Sequence, residues 1–152
     1  MTIYTEKTLK FLRDRGDKAQ VVEKWQQQSF RRIDLFGIID IVSMGNKIRG
    51  VQSTSYGCRK EHIDKILGEG LDAAQRWIAA GGELYLFSWK KEKRKRGGKA
   101  FRYAPVIDRF VGGGSHIESE TIPAASAIVI LPIQCKGPEL PLHTPGKAGV
   151  EG

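Results

Sequence analysis

The chain has 152 residues, room for one domain with a real hydrophobic core but not for two. Its formal charge is +8 and its pI about 9.6, which favours a polyanion as partner. Cys58, Cys135 and the three histidines share no zinc-ligand spacing. No secretory leader pattern opens the sequence and no apolar run approaches the ~20 residues of a membrane span, so we expect a cytoplasmic protein with reduced thiols and no membrane partner.

Tyr4 to Arg15 reads as an amphipathic helix. Thr5 can cap it, Thr8, Leu9, Phe11 and Leu12 form its inner side, and Gly16 ends it. Glu6, in the first turn, suits the helix dipole. Lys18 to Trp25 is expected to be a strand, with Ala19, Val21 and Val22 apolar. Glu23 near its end is either a ligand or an exposed acid paired with a cation. Gln26 to Arg32 is a polar, basic loop, whose Arg31 and Arg32 could contact phosphates or neutralise Asp34.

Two apolar runs follow, Leu35–Met44 and Ile48–Val51, joined by Gly45-Asn46. That pair signals a hairpin, since both residues tolerate positive φ. Asp34 lies beside the first run and Asp40 inside it, flanked by Ile38, Ile39, Ile41 and Val42. A bare carboxylate there is costly unless cations or hydrogen-bond donors meet it. Across the turn, Gln52 brings a side-chain carbonyl, and Thr54 shares its strand face. Oxygen-bearing side chains converging from paired strands suit a hard divalent cation; a buried polar pair bonded to backbone is the competing reading.

Ser55 to Cys58 is a turn. Arg59 to Ala80 carries Ile63, Ile66, Leu67, Leu71, Ala74, Trp77 and Ile78 at helical spacing, with a break expected near Gly68. Glu83 to Trp89 reads as a strand, and Ala100 to Phe110 as its partner, placed at an edge by Pro105. The run between them, Lys90 to Lys99 (KKEKRKRGGK), is expected to be a mobile tip that contacts DNA backbone or merely solvates the turn. Gly112 to Ser115 reads as a flexible link, Ala127 to Ile133 as one more strand or packing segment, and Pro138 to Gly152 as a disordered tail. The expected division is a core over 1–110, an extension over 111–137 and a tail over 138–152. The expected fold is α/β, helix, three strands, helix and strand (αβββαβ), with a central mixed sheet flanked by helices.

An acid in an apolar strand, a tight turn, then an acid-x-Lys on the next strand is the core of the PD-(D/E)XK nuclease superfamily. Asp40 stands at the first position and Gln52-Ser53-Thr54 at the second. Thr8-Leu9-Lys10, Leu12-Arg13, Val21 to Trp25, Asp34 to Gly37 and Val51-Gln52 extend the likeness. Over Thr5 to Trp89 the chain resembles small phage-type proteins of that superfamily, relatives of the Holliday-junction resolvases and VRR nucleases. The resemblance implies a restriction-endonuclease-like core, a bacterial or phage-encoded protein, and DNA as partner, with a homodimer one allowed assembly. It implies Mg²⁺, or Mn²⁺ in its place, held by Asp40, Gln52, the Ser53 carbonyl, Glu23 and Asp34. Two departures matter: Gln52 replaces the second acid, and Thr54 stands where the lysine is expected. Lys60 or Lys65, on the next helix, could supply the missing ammonium; Arg59 is a weaker candidate because guanidinium stays protonated. Arg31, Arg32, Arg59, Lys90, Lys93, Arg94, Lys95 and Arg96 are the expected DNA contacts. Two functions stay open: a Mg²⁺-dependent DNA endonuclease, structure-selective like the resolvases, or a catalytically degenerate member that binds nucleic acid.

Overall fold

The computed structural model describes residues 1–113 and 115–126. The expected strand over Ala127 to Ile133 and the expected tail lie outside the described residues. The elements are α1 (Ile3–Asp14), β1 (Lys18–Val21), β2 (Lys24–Gln26), β3 (Arg31–Ile33), β4 (Ile41–Met44), β5 (Ile48–Ser55), α2 (Arg59–Leu67), α3 (Leu71–Ala79), β6 (Glu83–Lys93), β7 (Phe101–Gly113) and β8 (His116–Ile122). Six strands form one mixed sheet in the order β1-β4-β5-β6-β7-β8, and β2-β3 form a separate two-stranded ribbon. Among the described residues only the β5–β6 pair is parallel, and the crossover between them carries α2 and α3, as parallel neighbours require.

Strand alternation assigns each face its helices. Val51, Tyr85, Phe87, Trp89 and Ile107 point to α1 and meet Leu9 and Leu12. Leu84, Leu86, Phe110 and Ile117 point the other way, to Ile66 of α2 and Ala74 of α3. Burying both faces under helices is what makes the central strands near-continuously apolar. Thr8 is bonded rather than merely packed, since it meets the Ser53 hydroxyl at 2.8 Å and accepts from the Trp89 indole at 2.8 Å.

Several expectations need correction. Thr2, not Thr5, caps α1, its hydroxyl accepting from the Thr5 N–H at 3.2 Å. The strand over Lys18 to Trp25 divides at Val22-Glu23, and Lys24-Trp25 leave the main sheet for the ribbon. The run from Leu35 does not extend as a strand. Phe36 and Gly37 adopt positive φ (55° and 76°), a Leu35–Ile39 bridge closes the turn, and β4 starts only at Ile41. The hairpin at Gly45-Asn46 forms, yet neither residue is among those with positive φ. Glycine is needed at 45 for space, because a Cβ there would lie 2.3 Å from Asp17 Oδ1. Lys90 to Lys93 belong to β6 and pair with Ala104 to Phe101, so only Arg94 to Ala100 form the tip. Gly112 and Gly113 continue β7 and pair with β8, where a flexible link was expected. Among the described residues β8 pairs with β7 only from Ile107 onward, so Pro105 lies outside that pairing. The break at Gly68 falls as expected, between α2 and α3.

Asp17 anchors the end of the sheet far from Asp40. It receives Arg49 Nη1 at 2.7 Å and the Ser43 hydroxyl at 2.9 Å, with Arg49 buried and also bonded to Glu83 at 3.1 Å. Asp17→Ala is expected to cost about 3 kcal/mol in a urea titration, the lower end for breaking a buried pair because Glu83 still faces the guanidinium.

Candidate metal and phosphate site

The irregular segments between β1 and β4 bring three acids together. Glu23 follows β1, Asp34 follows β3 and Asp40 precedes β4. Each offers a carboxylate oxygen, and these atoms lie within 4.8 Å of one another. Asp40 is fixed from behind. Ile38 and Ile39 are fully buried under α2 and α3, and at Gly70 a Cβ would lie 2.4 Å from Ile38 Cγ2.

The surrounding donors divide among the acids. Asp40 accepts the Ser53 N–H at 3.0 Å. Asp34 accepts Gln52 Nε2 at 3.1 Å and Lys65 Nζ at 3.1 Å. Glu23 accepts Arg32 Nη1 at 2.9 Å. Among the described residues Asp40 thus faces no cation directly. Burial, with the Asp34 and Glu23 charges adding, pushes its carboxyl up to about 8 against the pull of the Ser53 N–H. Gln52 is 1% exposed and its Oε1 has no hydrogen-bond partner among the described residues. A buried amide oxygen without a donor costs ~1–3 kcal/mol, and the same amide meets the carboxylate group through its Nε2 on Asp34.

The expected residues fare unequally. Asp40 is aligned with Gln52 across the β4–β5 pair, where the Asp40 N–H donates to the Val51 carbonyl at 3.0 Å. Ser53 meets the site through its N–H, which donates to Asp40. Lys65 reaches the acids, whereas Lys60 is exposed and pairs with Asp64 at 2.6 Å. Arg32 neutralises Glu23, and Lys65 takes the place at Asp34 that was expected of an arginine. Arg31 is exposed on the ribbon. Arg59 is committed elsewhere: it donates to both oxygens of buried Asp108 at 2.7 and 2.6 Å and to Thr121 at 2.9 Å, and the bonds to Asp108 raise its pKa. It ties the start of α2 to β7 and β8. Glu6 lies in the first turn of α1, outside the acid group.

The basic arm formed by the ends of β6 and β7 leaves the sheet at the end where the acids gather. Because β5 and β6 are parallel, with Gln52 opposite Leu86, Lys90 lies four residues beyond that level, about 13 Å along the strand, and Lys93 about 23 Å. Lys90 sits 5.4 Å from the Tyr56 ring centroid and Lys91 4.4 Å from that of Phe101. Replacing Lys93, Arg94, Lys95 and Arg96 by glutamine is expected to weaken DNA binding for all sequences alike. The slope of log K against log salt should shrink by ~0.9 for each duplex phosphate that the arm no longer neutralises. Anisotropy titrations at several salt concentrations measure both, and an unchanged slope would assign the arm to solvent.

No family model, curated protein or solved structure matches the chain. Among the described residues, no helix is long and apolar enough to cross a membrane.

Proposed function

We propose that the chain is a divalent-metal-dependent DNA endonuclease built on a restriction-endonuclease-like core. The observation that carries this reading is the meeting of Glu23, Asp34 and Asp40 with Lys65 on Asp34. The element order α1-β1-β4-β5-α2-α3-β6, with β6 parallel to β5, supports the core. The net charge of +8 and the arm at the acid end of the sheet support DNA as the substrate.

The donor set fits Mg²⁺ or Mn²⁺, which take oxygen ligands. Asp40, Asp34 and Glu23 would hold the ion, with Gln52 offering the amide oxygen that otherwise lacks a partner. Such an ion supplies an activated water and neutralises charge on the phosphate. The chain's own groups do the rest. The Ser53 N–H fixes the Asp40 carboxylate, and Gln52 Nε2 holds Asp34 in place. Lys65 brings an ammonium where negative charge develops on the phosphate, doing from α2 what Thr54 on β5 cannot.

One observation favours the second reading, a degenerate nucleic-acid binder. Lys65 and Arg32 already neutralise two of the three acids without a metal. Incubating supercoiled, linear and branched DNA with the protein in Mg²⁺, Mn²⁺ or EDTA separates the two. Metal-dependent cutting of any form is the expected result. Inertness on every form with either metal, alongside intact DNA binding, establishes the binder.

A further inference from the structure

We infer that the β2–β3 ribbon is a stacking platform for unpaired nucleotides, so that the preferred DNA is single-stranded or frayed where it meets the acids. This deepens the nuclease reading and rests on it. A two-stranded ribbon outside a larger sheet is marginally stable in water, yet this one carries large apolar side chains in the open. Trp25 is 58% exposed, Phe30 80% and Phe36, just beyond β3, 65%. Phe30 and Phe36 are also the two non-glycine residues with positive φ among those described, a conformation that costs roughly 1–2 kcal/mol per residue.

The placement of these rings is what points to a ligand. Two open clefts flank the ribbon and share Arg32 as a common wall. One, of about 360 Å³, has Phe36, Asp34 and Lys65 in its lining. The other, of about 370 Å³, has Trp25 and Glu23. Each cleft therefore pairs one exposed aromatic ring with one member of the acid group, at a size that suits a small planar ligand. Every base has a π-face, so rings of this kind take nucleotides regardless of sequence. Bases in a duplex are stacked on each other and cannot reach them. Two unpaired bases, one in each cleft, would leave the phosphate between them at Arg32, beside the acids.

A second copy of the chain is the competing occupant. The ribbon's exposed charges favour the nucleic acid: Lys24 and Arg31 put like charge on a face that a second copy would double, whereas a phosphate backbone complements them.

The test uses the full chain in EDTA, where binding proceeds without cutting. A labelled oligo-dT and a duplex of equal length are titrated by anisotropy against wild type, Trp25→Leu and Phe36→Leu, with circular dichroism confirming that both variants fold. The expected result is tighter binding of oligo-dT than of duplex, and a loss of roughly 5- to 150-fold per ring removed on oligo-dT alone. Equal binding of the two DNAs by wild type, or equal losses on both, overturns the inference, as does a wild-type dimer that Trp25→Leu converts to a monomer. Failure of the nuclease reading shows separately: ring-dependent oligo-dT binding with no cutting in Mg²⁺ or Mn²⁺ keeps the platform and removes the enzyme.

Discussion

Asp40→Asn is expected to reduce DNA cleavage to background while stabilising the metal-free fold at pH 8. The two effects share one cause. Asparagine keeps the size of the side chain but removes the charge that would hold a cation, and metal-assisted charge stabilisation is worth several kcal/mol, a hundredfold or more in rate at about 1.4 kcal/mol per tenfold. In metal-free protein that same charge is a burden. The Asp40 carboxyl is raised from 3.8 to about 8 by burial and by its acidic neighbours. Between those values the folded state binds a proton that the unfolded state does not, so stability falls as pH rises. The contribution is intact below the unfolded pKa and is lost, to the extent of a few kcal/mol, once pH passes the folded one. Thermal melts in EDTA from pH 4 to 9 should therefore decline more steeply for wild type than for the variant. Added Mg²⁺ should recover wild type at pH 8 and leave Asp40→Asn unchanged. Parallel melting curves would remove the physical basis for a strained carboxylate at this position.

Lys65→Ala should lower cleavage by about 10²–10³-fold, the scale for losing one preorganised charge-stabilising donor. Lys60→Ala should leave the rate where it was. The two lysines are five positions apart on one helix, and only Lys65 meets an acid of the group. Lys65→Arg separates two roles: guanidinium supplies charge but does not give up a proton. Recovery of the rate assigns the lysine to charge stabilisation, and no recovery assigns it to proton transfer. Single-turnover cleavage with bound DNA in excess metal reads this step apart from affinity. Equal effects of Lys60→Ala and Lys65→Ala would mean that neither acts from within the site.

The parts of this arrangement that follow strand alternation were legible in the sequence. Asp40 among four β-branched residues and Gln52 after Val51 could be aligned because a two-residue period fixes which side chains share a face. The helical break at Gly68 followed from two glycines inside an otherwise regular pattern. What alternation does not govern was not legible. Asp34 joins the site through a turn with two positive φ values, and Gly37, the single glycine in the apolar run Leu35 to Met44, reads equally as a bulge within a strand or as a turn before it. Which lysine enters depends on the rotation of α2 over the sheet, set by the packing of Ile66. Asp108, the partner of Arg59, is 49 residues away, so a basic residue that reads as a phosphate ligand proves to be a structural tie. The exposure of the Trp25 and Phe36 rings was not legible, since β2 and β3 are too short for a periodicity.

The claim on which the rest depends is that the three acids hold a cation. A Mn²⁺ titration followed by electron paramagnetic resonance measures this directly, since bound ion loses the sharp signal of free ion. Wild type at pH 8 should bind saturably, and Asp40→Asn should lose that binding while keeping its fold. Wild type that leaves Mn²⁺ free at millimolar concentration, or an Asp40→Asn variant that binds it as well as wild type, would contradict the account.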